Sequence, residues 1–187
     1  MAFRRSRSEK GAGPVSPLVA ELFEWAAQFE AGSLSDPALI DGTLEPGERF
    51  AVRVGPVTAV EFVVDAPRPD VAAAGPTGSL VATDRRALLQ TDGGVALQWG
   101  WGTDIEAVTA LSGGVGLMWL VKDEDRASGM ALRGVVIPAY ARGELSHSDG
   151  APPMQAVFKR VEVAWRASQP GGLAAWREQF AARYGRP

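Results

Sequence analysis

Between residues 79 and 137 the sequence is a series of short apolar segments separated by Gly, Asp or Ser, and this pattern restricts the possible folds more than any other feature. The segments are SLVAT, RALLQT, VALQW, DIEAVTAL, VGLMWLV and MALRGVVI. Asp92-Gly93-Gly94 and Ser112-Gly113-Gly114 are typical of hairpin turns. Short strands at this spacing predict an antiparallel sheet, a sandwich or a small barrel.

The stretch SLVATDRRALLQ, residues 79–90, places three charges inside an apolar run. As one continuous strand it would turn Asp84 toward the core, and burying an unpaired carboxylate is costly. A two-residue turn at Asp84-Arg85 instead pairs apolar residues across the ladder, Leu80 with Leu89 among them. Asp suits such a turn because it tolerates positive φ. We therefore predict a hairpin with Arg85 and Arg86 exposed at its tip, where they form a possible interaction surface; whether they also contact an acidic group is left open.

Upstream, the segments ERFAVRV and AVEFVVDA have the alternating or β-branched character of strands, and Gly55-Pro56 between them predicts a turn. The Pro-, Ala- and Gly-rich residues 66–77 predict a long loop that holds neither strand nor helix. If residues 95–110 form one long bent strand, the whole chain has seven strands.

Helices are expected at both ends. Ser16 is a candidate N-cap before Pro17, and an aromatic and aliphatic stripe follows at helical spacing, which predicts a core-facing helix at 15–32. A second apolar face predicts a helix at 153–168, and a third stripe follows Pro170-Gly171-Gly172. The three sets are Leu18, Leu22, Trp25 and Phe29; Met154, Val157, Phe158, Val161 and Trp165; and Leu173, Trp176, Phe180 and Tyr184.

Three stretches, LEPGERF at 44–50, GSLVATDRRALLQ at 78–90 and VALQWGWGTDIEAV at 95–108, resemble the pattern of pleckstrin-homology-like (PH-like) domains of the bacterial and GRAM type. The resemblance implies an α+β, mainly β fold: a seven-stranded antiparallel, partly open barrel closed by a C-terminal helix. It covers residues 44–168. We then expect a disordered basic tail at 1–14, an accessory helix at 15–32 and a C-terminal helical extension at 170–187.

No group of residues has the spacing of a catalytic or metal site. The chain has no Cys and one His, His147, which lies in a polar turn beside residues too close to form a triad. Asp123-Glu124-Asp125 lies between two strands, where a solvated turn is expected. SGGVG at 112–116 lacks the Lys and Ser/Thr of a phosphate-binding loop. We expect a protein that is not an enzyme and that holds no cofactor and no metal.

Net charge and hydropathy restrict the classes of partner that the protein can bind. The net charge of −3 argues against nucleic acid, and no apolar run approaches the roughly 20 residues needed to span a bilayer, so we expect no transmembrane segment. Both ends are basic, and Arg177 and Arg183 lie in the C-terminal one. These ends either lie against the acidic middle of the chain or in solvent, or they offer a basic face for anionic lipid or an acidic partner. The chain has no Cys and no recognisable export signal, and both are compatible with a cytoplasmic location. Its 16 Arg residues against 3 Lys are typical of a protein from a GC-rich bacterial genome.

Trp99 and Trp101 alternate with Gly and therefore share one face of a strand. We favour packing in the core or at the barrel end, and the alternative is an exposed aromatic patch. The leading functional hypothesis is a non-catalytic PH-like module that binds another protein in a bacterial cytoplasm. The alternatives are peripheral binding to anionic membrane through the basic ends, and a small apolar ligand held at the barrel mouth near the two Trp residues.

Overall fold

A computed structural model of the protein describes residues 17–63, 70–146 and 152–184. Its elements are α1 Pro17–Ala31, β1 Phe50–Phe62, β2 Val71–Thr83, β3 Arg86–Thr91, β4 Gly94–Gly100, β5 Ile105–Ala110, β6 Gly116–Lys122, β7 Met130–Val136, α2 Pro138–Ala141, α3 Pro152–Ala167 and α4 Gly172–Tyr184. A short 3-10 turn at Ser112–Gly114 joins β5 to β6. The predicted tail at 1–14, the proposed cap Ser16 and His147 lie outside the described residues.

All seven strands belong to one antiparallel sheet in the order β4-β3-β2-β1-β7-β6-β5. Its two edges are β4 and β5, and Trp101, the residue after β4, forms an isolated bridge with Ile105 of β5. The predicted α+β, mainly β fold with seven antiparallel strands and a C-terminal helix is therefore confirmed. A sheet of this kind occurs in more than one family, so the PH-like resemblance remains a prediction.

The predicted hairpin at residues 79–90 is confirmed in its register, with Leu80 opposite Leu89 and Ala82 opposite Ala87. The proposed reason is wrong, because no described residue other than Gly has positive φ. The turn is held instead by the hydroxyl oxygen of Thr83, which accepts the backbone N–H groups of Arg85 and Arg86 at 3.1 and 3.0 Å.

Two strand boundaries were predicted wrongly: one predicted break between strands is absent, and one break that is present was not predicted. Gly55-Pro56 is not a turn, because β1 runs through it and only shifts its register against β2 between Val54 and Val57. Residues 95–110 are not one strand, because the chain turns between Gly100 and Ile105, where the carboxylate of Asp104 accepts the Gly100 N–H at 2.7 Å. The predicted total of seven strands is correct because these two errors cancel.

The Pro-rich stretch also departs from its prediction. Residues 71–77 belong to β2, with Ala74 opposite Val60 and Ala73 opposite Glu61. β3 pairs with β2 only from Ser79 onward, so Pro76 lies on a free edge where its missing N–H breaks no ladder bond. Pairing with β1 therefore gives this part of the stretch a strand conformation that its composition does not favour. Residues 64–69 lie outside the described part.

Helix α3 packs on the sheet as predicted, and it shares one apolar core with α1, α4 and both sides of the hairpin. Phe158, Val161 and Trp165 are buried, whereas Met154 and Val157 are half-buried. The short helix α2, which starts at Pro138, was not predicted from the sequence.

The two terminal helices bury most but not all of their predicted stripes. In α1, Trp25 and Phe29 are buried while Leu18 is 63% exposed. In α4, Trp176 is buried while Tyr184 is 48% exposed. The helices meet where the ring of Phe23 lies 5.4 Å from that of Trp176. The outermost residue of each stripe thus lies outside the core.

No helix in the described ranges combines the length and the hydropathy required to cross a membrane.

Candidate functional site

The hairpin tip is fastened to the loop that precedes β1. The side chain of Glu48 is fully buried, and its Oε2 lies 2.9 Å from Nη2 of Arg86. The same guanidinium donates to the side-chain oxygen of Gln98 at 2.8 Å and to the carbonyl of Thr43 at 3.2 Å. Only 15% of the Arg86 side chain is exposed, so its charge is neutralised by groups within the molecule.

The carboxylate of Glu48 is stabilised in its charged form. Burial alone would raise the pKa of Glu48, but hydrogen bonds from Arg86, from the Glu45 amide and from the Thr83 hydroxyl together lower the pKa below its ordinary value of 4.5. The Thr83 hydroxyl donates to Oε1 at 2.6 Å, and the Glu45 amide to Oε2 at 2.8 Å. This network orders the loop before β1 around the hairpin.

Arg85 and Asp84 occupy the outer side of the same turn. Arg85 keeps half of its side chain in solvent and lies 3.9 Å from the exposed Glu45. Asp84 accepts both the backbone and the side-chain N–H of Arg49 at 2.9 Å. Of the two arginines in the possible interaction surface, Arg85 is half exposed and Arg86 is largely enclosed.

Trp99 and Trp101 are both buried, with 8% and 7% of their surface exposed, as the core interpretation predicts. The ring of Trp99 lies 4.9 Å from that of Trp119 in an edge-to-face arrangement. The indole N–H of Trp101 donates to the carbonyl of Thr83 at 2.7 Å. The structure therefore uses this pair for packing and for anchoring the hairpin.

The two C-terminal arginines differ in their environment. Nη1 of Arg177 lies 2.9 Å from a carboxylate oxygen of Glu30 and joins α4 to α1. Arg183 is exposed, and its guanidinium carbon lies 5.2 Å from the ring centre of Tyr184. The structure thus separates the predicted surface residues: Arg183 lies at the end of α4, and Arg85 at the hairpin tip.

A groove that the sequence did not predict runs between α1, β5, α3 and α4, and we call it the β5 groove. Its volume is about 740 Å³. Two side chains that line it, Leu18 and Tyr184, are among the few large apolar residues with exposed surfaces in the described part. Its apolar wall includes Leu18, Leu22, Val108, Ala156, Phe180 and Tyr184. An exposed apolar surface of this kind marks an interaction site more often than a scattered single residue does.

The charged residues of the β5 groove leave one cation without a carboxylate. Nζ of Lys159 lies 2.7 Å from Glu162, and Arg160 pairs with Glu21 of α1. Arg166, also in the lining, forms no ion pair with any described residue. Its guanidinium carbon lies 4.6 Å from the ring centre of Trp165, and a cation–π contact restrains it at this position.

A signal for the groove was present in the sequence but ambiguous. Leu18 and Tyr184 are the terminal members of two predicted apolar stripes, and a terminal member has fewer neighbours to cover it than a central one. Which of them stays exposed depends on how α1 and α4 pack together, and periodicity alone does not contain that information.

The remaining acidic candidate, Asp123-Glu124-Asp125, lies between β6 and β7 as predicted. The carboxylate of Asp123 is occupied by Arg133 at 3.0 Å and by Arg126 at 3.5 Å. Across residues 17–63, 70–146 and 152–184 no group of three or more acidic or His side chains has the arrangement of a metal site.

Comparison with known proteins finds no family model that matches this sequence and no curated protein that matches it significantly.

Proposed function

We propose that the chain is a non-catalytic, PH-like interaction module that binds another protein through the β5 groove. The observation that carries the proposal is the groove itself: a cleft of about 740 Å³ whose apolar wall includes the exposed Leu18 and Tyr184. Binding sites are concave and largely apolar, with a few charged groups that fix orientation. Arg166 at the edge of this groove supplies such a group.

The structure gives protein binding more support than the ligand alternative. Trp99 and Trp101, proposed as the walls of an apolar ligand site, are buried in the core and do not line the groove. The groove instead brings together residues from four elements along its length, which suits a chain segment of a partner. The hypothesis of membrane binding depends on both basic ends of the chain, and residues 1–14 of the N-terminal one lie outside the described part.

The test is affinity capture from cells that express the protein, with quantitative identification of captured proteins. Leu18→Asp places a charge in the groove, and it should leave the fold intact because Leu18 is exposed and an acidic residue suits the first turn of a helix. Val95→Asp is the matched control, since Val95 is 45% exposed on β4 at the opposite edge of the sheet.

We expect a specific protein that is captured by the wild type and by Val95→Asp and that is lost with Leu18→Asp. If every captured protein is retained equally by both variants, the groove is not the binding surface and the proposal fails.

A further inference from the structure

The β5 groove follows the edge of a strand. Three consecutive residues of β5, Val108, Thr109 and Ala110, line it, and so do Leu111 and Ser112, which follow the strand. Side chains of a strand alternate between its two faces, so a cleft that touches every residue in turn runs along the edge and reaches the backbone. β5 is the last strand of the sheet and pairs only with β6 over its length, apart from the bridge at Ile105.

An edge strand presents backbone N–H and C=O groups that await a partner. An extended segment satisfies these groups by adding a strand, whereas a helix cannot because its own backbone groups are already bonded. The groove therefore selects for extended backbone on its β5 side. On its helix side, Leu18, Leu22 and Phe180 offer apolar contacts to alternate side chains of such a segment.

The charged residues of the groove indicate the sign of the charge that a bound segment should carry. Lys159 and Arg160 are neutralised by Glu162 and Glu21, while Arg166 has no carboxylate partner among the described residues. Arg183, next to the groove residue Tyr184, is likewise outside every ion pair found in the described part. The N-terminal residues 1–10 carry four basic residues and one acid, so they would bring like charge into the groove.

We propose that the β5 groove binds an extended, acidic segment of a partner protein, which pairs with β5 as an additional antiparallel or parallel strand and directs carboxylates to Arg166. This inference rests on the proposed function and adds the conformation and the charge of the bound segment.

The test uses the full chain and a fluorescent, end-blocked peptide of about eight alternating Val and Glu residues, long enough to span β5. Binding is followed by fluorescence anisotropy. One comparison peptide replaces Glu with Lys. Two further peptides carry N-methyl groups on one or the other alternate set of amides, so that only one of them loses the N–H groups that face β5.

We expect the Val/Glu peptide to bind and the Val/Lys peptide to bind at least about tenfold more weakly. We expect one N-methylated peptide to lose binding and the other to retain it, which is the signature of strand addition. Arg166→Glu should weaken binding by about tenfold, and Arg142→Glu, an exposed position in another part of the structure, should leave binding unchanged.

Absence of binding by the Val/Glu peptide, equal binding by the Val/Lys peptide, or equal effects of the two methylation patterns would each overturn the inference. Peptide binding that appears only after deletion of residues 1–14 would show that the tail occupies the groove, and a dimer dissociated by Leu18→Asp would show that a second copy does. Loss of a captured protein with Leu18→Asp together with no peptide binding would leave the proposed function standing and reject only this mode of recognition.

Discussion

Glu48 and Arg86 form the most enclosed ion pair among the described residues, with 0% and 15% of their side chains exposed. Removing one member of such a pair leaves the other charge buried without its partner. The pair also connects three parts of the chain, since Arg86 reaches Gln98 of β4 and the carbonyl of Thr43. Its role at the residue scale is to fix the loop before β1 against the hairpin.

Glu48→Gln should lower the free energy of unfolding by about 3 kcal/mol at neutral pH. The folded-state pKa of Glu48 lies below its ordinary value of 4.5, so its stabilisation is complete above that pH and is lost as the pH falls through the folded-state pKa. The difference between wild type and variant should therefore shrink below pH 4.5. Urea unfolding across this range measures it.

The control for this prediction is Glu106→Gln, because Glu106 and its partner Lys122 are about half exposed at a separation of 3.1 Å. An exposed pair of this kind contributes about 0.5 kcal/mol or less. A constant difference between wild type and Glu48→Gln at every pH would contradict the assignment.

Trp101→Phe and Trp119→Phe separate hydrogen bonding from packing. Both indoles are buried, but Trp101 donates to the Thr83 carbonyl, whereas the Trp119 N–H has no partner in the described part of the chain. Trp101→Phe removes an indole donor from the buried carbonyl of Thr83 and should therefore destabilise the fold by about 1–3 kcal/mol more than Trp119→Phe does. Thermal unfolding of the two variants gives this comparison, and the reverse order would contradict it.

At the scale of elements, the sheet depends on a close approach at Gly134. This residue of β7 lies opposite Val60 of β1 and Met118 of β6, between two neighbouring strands. A Cβ atom there would collide with the carbonyl of Leu117 and lie 2.9 Å from the ring of Phe62. The central strands are therefore packed too tightly at this position for any larger residue.

Gly134→Ala should destabilise the protein by about 1–3 kcal/mol through overpacking. Gly75→Ala is the matched control, since a Cβ at this position of β2 meets Ala59 at an ordinary 3.6 Å. Removing the backbone freedom of Gly there should be neutral or stabilising by about 0.5 kcal/mol. Equal destabilisation by both substitutions in denaturant titrations would argue against the strand packing described.

The elements that the sequence predicts well are those whose cues are local. The hairpin register at 79–90 follows from apolar pairing within twelve residues, and the helices follow from stripes within sixteen. The local cues gave wrong predictions where pairing between distant strands determines the conformation. Pro56 and the stretch around Pro76 suggest breaks locally, yet β1 and β2 hold each other extended over both. The groove was missed for the same reason, because it exists only where four elements meet.

At the scale of the whole molecule, the terminal helices contribute to the same core as the sheet. Trp25, Phe29 and Trp176 pack in one cluster with sheet residues such as Trp119. The indole N–H of Trp25 also donates to the carbonyl of Ala51 in β1 at 3.2 Å. The helices therefore complete the core as well as forming two walls of the β5 groove.

A fragment of residues 44–168 should fail to unfold cooperatively. Losing one buried aromatic side chain costs about 3–5 kcal/mol, and the fragment loses three from a total stability of about 5–15 kcal/mol. A fragment of residues 17–184 keeps every described element and should retain the melting temperature of the full chain. Near-ultraviolet circular dichroism during heating distinguishes them, and a cooperative transition in the shorter fragment would contradict the prediction.

The most direct measurement of the central claim, that the β5 groove binds a partner protein, is photo-crosslinking in intact cells. A benzophenone amino acid replaces Leu18 or Tyr184 in the groove, or Val95 as a control of comparable exposure at the other edge of the sheet. We predict that positions 18 and 184 crosslink to the same protein and that position 95 does not. Crosslinking to that protein from position 95 alone, or no crosslinked protein from either groove position, would contradict the account.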